Sequence, residues 1–121
     1  MREGNIVYEQ AKKFALRIYL LKKYLCEEHH EFTLADQVLR SGTSIGANIS
    51  EAIDAFSRAD FHYKLTIALK ECSETKYWLE LLHEAELISD IMFDSMYTDL
   101  VSIYYLLTST CKKLQRHPQN D

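Results

Sequence analysis

The sequence predicts an all-α protein, an antiparallel up-down-up-down four-helix bundle that occupies residues 1–121 as one domain. Three observations carry that prediction. The chain holds one proline, Pro118, and three glycines, too few to build the tight turns of a β protein. Its apolar residues, 47% of the total, recur in steps of three and four over four long stretches. Short polar clusters, CEEHHE, SRAD and ISD, stand between those stretches and suit close connections between antiparallel neighbours.

The first helix, about residues 5–29, sets Val7, Ala11, Phe14, Ile18, Leu21 and Leu25 on one stripe. The second, about 34–57, starts where Thr33 offers an N-cap with Asp36 three residues later. It runs Leu34, Val38, Ile45, Ile49, Ala52 and Phe56 down one face. The third, about 60–87, is capped by Ser57 to Asp60 and carries Phe61, Leu65, Ala68, Cys72, Thr75, Leu79 and Leu82. It also has a second apolar flank of Tyr63, Ile67, Trp78 and Leu81, more than one bundle core uses, and that surplus asks for a partner. The fourth, about 90–115, carries Phe93, Met96, Leu100, Tyr104, Leu107, Cys111 and Leu114, and QRHPQND reads as a tail.

Two of the three glycines fall inside the second helix, in RSGTSIGANISEA. Gly42 and Gly46 lie on or beside the stripe of Val38, Ile45 and Ile49, and each costs up to about 1 kcal/mol of helix propensity relative to alanine. That cost is consistent with a packing seam where another helix backbone passes close by. The opposite side holds Arg40, Ser44, Ala47 and Glu51.

Charge bounds the function. The net charge of −4 argues against a protein that coats nucleic acid without specificity, since such binding neutralises phosphates. The distribution is uneven: residues 1–26 carry six Lys and Arg against two Asp and Glu, while residues 27–60 carry two against seven. Lys12, Lys13, Arg17, Lys22 and Lys23 of the first helix are therefore the candidates for contact with RNA, DNA or an acidic partner such as a nucleic-acid-processing protein. Cys26, Cys72 and Cys111 are odd in number and lack metal-site spacing, which predicts reduced thiols and a cytoplasmic location. The N-terminus breaks its apolar residues with charge at every turn, unlike a signal peptide, and the apolar run from Leu100 to Cys111 is too short to span a bilayer.

Candidate chemistry is sparse. GTSIGAN has three residues between its glycines rather than the four of a Walker loop, and no strand pattern precedes it. Two Glu-x-x-His spacings, Glu27 with His30 and Glu80 with His83, match the ligand pairs of di-iron bundles, with Asp36 and Asp90 to complete the shell. A metal-dependent bundle enzyme is thus the alternative reading. Glu71 and Glu74 stand near Trp78 without a nucleophile or histidine, and salt bridges to Arg40 or Arg58 are their expected use. The first reading is a non-enzymatic assembly protein with no catalytic residues, cofactor or metal.

Several stretches carry a family resemblance. FALRI at Phe14–Ile18, QVLRSGTSIGANISEA at Gln37–Ala52 and KECSETKYWLELL at Lys70–Leu82 resemble the bacterial four-helix-bundle family of the 23S rRNA intervening-sequence proteins. The most specific part is Arg40, Ser41, Ser44, Ile45, Asn48, Ile49 and Glu51. The resemblance implies a helical protomer that assembles with itself, as a pentameric ring. It also implies likeness to the accessory protein of diversity-generating retroelements, whose associations are with nucleic acid and a reverse transcriptase. Arg40, Ser41, Gly42, Ser44, Gly46, Asn48, Glu51 and Trp78 are on this reading packing or interface residues. Many relatives have proline where this chain has Gly46, so a bend or loosened turn is expected there.

Overall fold

The computed structural model describes residues 5–116, which form α1 (Ile6–His29), α2 (Thr33–Ile53), α3 (Arg58–Glu84) and α4 (Asp90–Arg116), with no strand among them. Local sequence sets most of the ends. The Tyr8 N–H donates to the Asn5 side chain at 2.9 Å to start α1, and the Asp60 N–H donates to Ser57 Oγ at 3.0 Å to start α3. With few glycines in the chain, the left-handed positions that close α1 and α3 fall to His30 (φ 54°) and Glu86 (φ 61°). After each, a backbone N–H reaches back over the last turn: Glu31 to the Leu25 carbonyl at 3.1 Å, and Leu87 to the Leu82 carbonyl at 2.9 Å.

Several expectations need correction. Thr33 is the first residue of α2 rather than its cap, and Glu31 does the capping work by accepting the Leu34 N–H on its carboxylate at 3.0 Å. α2 stops at Ile53, because the chain must extend at Ser57 to cap α3; Phe56 is left in the link, 102% exposed, rather than in the core. In α4 the inward register passes through Ile103, which leaves Tyr104 partly exposed. No loosened turn interrupts α2, which is continuous through Gly42 and Gly46. Gln115 and Arg116, the first residues of the expected tail, belong to α4, and the rest of that expected tail, residues 117–121, lies outside the described residues.

Contacts between neighbours give the topology. Ile18 and Ala11 of α1 stand against Gly42 and Gly46 of α2, so numbering rises on one helix as it falls on the other. The same opposition holds for Arg40–Glu74 and Glu51–Lys64 between α2 and α3, and for Gln10–Ser102 and Arg17–Asp99 between α1 and α4. α4 turns back along α3, with His83 meeting Asp90 across the short link. Each helix packs on two neighbours, and no close approach joins α1 to α3 or α2 to α4 among the described residues. This is the antiparallel square of a four-helix bundle, with α1 and α3 on one diagonal.

One aliphatic core fills the square, centred on Phe14, Ile18, Ile45, Ile49, Leu79 and Leu107, all at most 1% exposed. Among the described residues, Ser41 and Thr75 are its two fully buried polar residues. Thr75 Oγ1 lies 3.0 Å from Ser41 Oγ and 2.7 Å from the Glu71 carbonyl, which satisfies the pair within the α2–α3 contact.

Candidate functional site

The glycines of α2 form the seam against α1, but not equally. A Cβ on Gly42 would sit 2.7 Å from Ile18 Cγ1 and 2.9 Å from its Cγ2, whereas one on Gly46 would meet Ala11 at 3.6 Å, an ordinary contact. Close approach therefore requires glycine at 42, while Gly46 lies against backbone with room for a methyl.

The polar residues of the same stretch are used within the chain. The Arg40 guanidinium pairs with Glu74 and stands 3.5 Å from Glu71 Oε1, an atom that is buried and compensated in charge but makes no hydrogen bond. Glu74 also accepts the Trp78 indole N–H at 3.0 Å, so arginine, carboxylates and indole form one tie from α2 to α3. Glu51 meets Lys64 at 2.8 Å, and that hydrogen bond raises the Lys64 pKa above the usual lysine value. Ser44 donates to the Arg40 carbonyl at 2.7 Å and Asn48 donates to the Ser44 carbonyl at 2.8 Å, both along their own helix. Trp78 is half-buried against the core, edge-on to Tyr77 at 4.9 Å.

The basic set divides. Arg17 reaches α4, pairing with Asp99 and donating to Ser95 Oγ at 2.7 Å, and Lys22 pairs with Asp36 at 3.3 Å. Both are engaged in ion pairs within the fold. Lys12, Lys13 and Lys23 are exposed and make no ion pair among the described residues; Lys12 Nζ stands 6.0 Å from the Tyr8 ring centroid, at the limit of cation–π reach.

The di-iron ligand set is not assembled. Glu27 and His30 are exposed at the end of α1, with His30 already past the last turn. His83 is 2.6 Å from Asp90 and stacks on Phe93 at a centroid distance of 4.4 Å, and Asp36 is taken by Lys22. Among the described residues no three His, Cys, Asp or Glu side chains stand where they could hold a metal ion.

A groove of about 280 Å³ runs between α3 and α4, lined by Lys76, Tyr97, Tyr104 and Tyr105 among others, with Cys72 at its floor. Burial pushes the Cys72 thiol up to about 12, so it stays protonated and is a poor nucleophile.

The most distinctive features lie on the outward faces. On α1, Leu16 and Leu20 are 61% and 54% exposed, in line with Lys12 and Lys23 and beside Tyr19. On α3, Tyr63 and Tyr77 are 61% and 57% exposed and share a row with the partly exposed Ile67 and Leu81. The sequence reading found Tyr63, Ile67 and Leu81 but missed Leu16, Tyr19, Leu20 and Tyr77. The spacing of four between Leu16 and Leu20, off the core stripe, was the available signal.

A square of four amphipathic helices around one core, with its unexplained apolar side chains on outward faces, defines a four-helix-bundle protein whose distinguishing chemistry is on its surface. The family model described as 23S rRNA-intervening sequence protein matches residues 3–109, and the chain belongs to that family. It is similar in structure to a protein of unknown function from the S23 ribosomal protein family of Bacteroides thetaiotaomicron VPI-5482, at 52% identity and a TM-score of 0.87. That match covers 88% of this chain and 98% of the other. No functionally curated protein matches. No described helix is long and apolar enough to cross a membrane.

Proposed function

We propose that the protein is a non-enzymatic assembly protein that acts through protein–protein contacts, forms a homo-oligomer of the ring type its family resemblance suggests, and works in the cytoplasm. The observation that carries this reading is the pair of exposed apolar rows on α1 and α3, which the bundle core leaves unused. The arrangement on α1, leucines bordered by lysines, has the composition of a protein contact with a charged rim. The three unpaired cysteines fit a reducing compartment. Contact with nucleic acid is the weaker reading, since it now rests on Lys12, Lys13 and Lys23 alone in a chain of net charge −4. Size exclusion with light scattering tests the first reading: a mass several times that of the 14.2 kDa chain supports it, and a monomer at tens of micromolar removes it. Absorbance at nucleic-acid wavelengths across the same peak, at low and high salt, tests the second.

A further inference from the structure

We infer that the groove between α3 and α4 is a binding site for a small, flat aromatic molecule that carries a carboxylate. The groove shares no residue with the outward rows on which the assembly reading rests, so each inference stands or fails without the other.

The aromatic residues of α4 point to the ring. They stand at Phe93, Tyr97, Tyr104 and Tyr105, while the turn between them carries the aliphatic Leu100 and Val101. The first part of this row is a closed stack. His83 of α3 lies on Phe93 with centroids 4.4 Å apart and planes 12° apart, and Phe93 lies on Tyr97 at 5.3 Å and 22°. The stack stops at Tyr97, where the groove opens. From Tyr97 to Tyr104 the helix rises about 10 Å, which is two stacking steps of roughly 5 Å each. One ring is thus missing from the ladder at the turn of Leu100 and Val101, and the groove occupies that place. Its volume of about 280 Å³ is just below the range of about 300–1,000 Å³ usual for small-molecule clefts, which limits the occupant to one or two rings.

The lining selects the charge. The floor is Cys72 and Leu100, each 2% exposed, and burial keeps the thiol protonated, so the ring meets an uncharged surface there. Ser73 donates to the Leu69 carbonyl at 3.4 Å, which commits its proton to its own helix. Lys76 is the one charged residue of the lining. It is exposed and makes no ion pair among the described residues, and Glu80, one turn further along α3, lies outside the lining. A cation at the rim of an otherwise uncharged aromatic slot matches an anionic group on the edge of a flat ring. Tyr104 and Tyr105, edge to face at 6.2 Å, close the far end.

Titration of the whole chain, labelled at its leucine and valine methyls, with naphthoate and with the uncharged naphthamide tests the inference by NMR, and calorimetry gives the affinities. Ring currents are expected to shift the Leu100 and Val101 methyls saturably while those of Leu16 and Leu20 on the outer face of α1 stay in place. Naphthoate should bind about two- to fivefold more tightly than naphthamide, as suits one partly exposed ion pair, and Lys76→Gln should abolish that preference. Val101→Phe supplies the missing ring from the chain itself. It is expected to keep or raise the melting temperature and to remove saturable binding of both compounds. Wild-type affinity in Val101→Phe, shifts confined to Leu16 and Leu20, or no saturable shift with either compound overturns the site. Equal affinity for the two compounds overturns the assignment of a carboxylate. If Val101→Phe unfolds, Tyr105→Ser at an exposed position replaces it, with weaker binding of both compounds expected and unchanged binding overturning the inference.

Discussion

Replacing Gly42 and Gly46 separately by alanine gives opposite signs of stability change, although both sit four residues apart in the same helix. Each substitution gains helix propensity worth up to about 1 kcal/mol. At Gly46 the new methyl finds Ala11 at 3.6 Å, so the gain is kept and Gly46→Ala is stabilising by about 0.5–1 kcal/mol. At Gly42 the methyl lands 2.7 Å from Ile18 Cγ1 and 2.9 Å from Cγ2. Those atoms are the branches of a β-branched side chain with restricted χ1, itself 0% exposed, so it cannot turn aside without moving its neighbours. Overpacking of this kind costs about 1–3 kcal/mol, which offsets the propensity gain and leaves Gly42→Ala destabilising by up to about 2 kcal/mol. Thermal melting resolves the difference, at roughly 3–5 °C per kcal/mol for a chain of this size. A double-mutant cycle with Ile18→Ala should show coupling, because the cost of truncating Ile18 falls once the methyl introduced by Gly42→Ala fills part of the space. Equal melting temperatures for the two alanine variants would refute the close approach of α1 at Gly42.

Ser41→Ala leaves Thr75 with the Glu71 carbonyl and is expected to cost about 0.5–1.5 kcal/mol in urea unfolding, whereas Ser41→Ala with Thr75→Val should cost less than the sum of the singles. Additive costs would show that the hydroxyl pair is not coupled. Native alkylation at pH 8 should modify the partly exposed Cys26 rapidly and Cys72 only as the protein unfolds, which peptide mass mapping reads directly. Because the folded Cys72 pKa lies above the unfolded value, its contribution to stability is complete below about pH 9 and is lost as pH rises toward 12; a Cys72→Ala variant should show a shallower alkaline loss. Glu86→Gly relieves a left-handed residue that costs about 1–2 kcal/mol, and after the added unfolded-state entropy of glycine it should raise the urea midpoint by the equivalent of up to about 1 kcal/mol. No change would mean that Glu86 is not strained in solution.

The fold was readable because the periodic signal is strong and the interruptions are few. The α1 stripe from Ala11 to Leu25 and the α3 stripe from Leu65 to Leu82 match the buried residues, with Val7 only partly buried at the start of α1, since a long run in steps of three and four fixes its own register. The misreadings fall where that signal competes with local geometry. Phe56 continues the α2 spacing, yet the Ser57 cap of the next helix claims the backbone and turns the ring out. Tyr104 and Ile103 are adjacent, and the choice between them depends on how α4 lies against α1 and α3, which periodicity in one helix does not encode. The Glu-x-x-His pairs show the same limit: the spacing is present, but the link after α1 places His30 outside the helix that would have aimed it.

The surface poses the harder problem, because charge counted along a sequence does not say which charges are already used. Arg17 and Lys22 belong to the basic segment by composition and to the fold by geometry, each held by a carboxylate from a neighbouring helix. Removing them changes the character of α1. A five-residue basic patch suited to phosphates becomes three lysines around two leucines, with the apolar side chains at the centre of the row. A phosphate backbone gains nothing from Leu16 and Leu20, whereas a second protein face gains from burying them. The polar residues of α2 support the same division, for Arg40 and Glu51 are occupied in holding α3, so that α3 presents its tyrosine row outward in a fixed orientation. Residues that resemble a binding motif in the sequence thus build the platform, and the contact proposed for this protein falls to the side chains that core and salt bridges leave over.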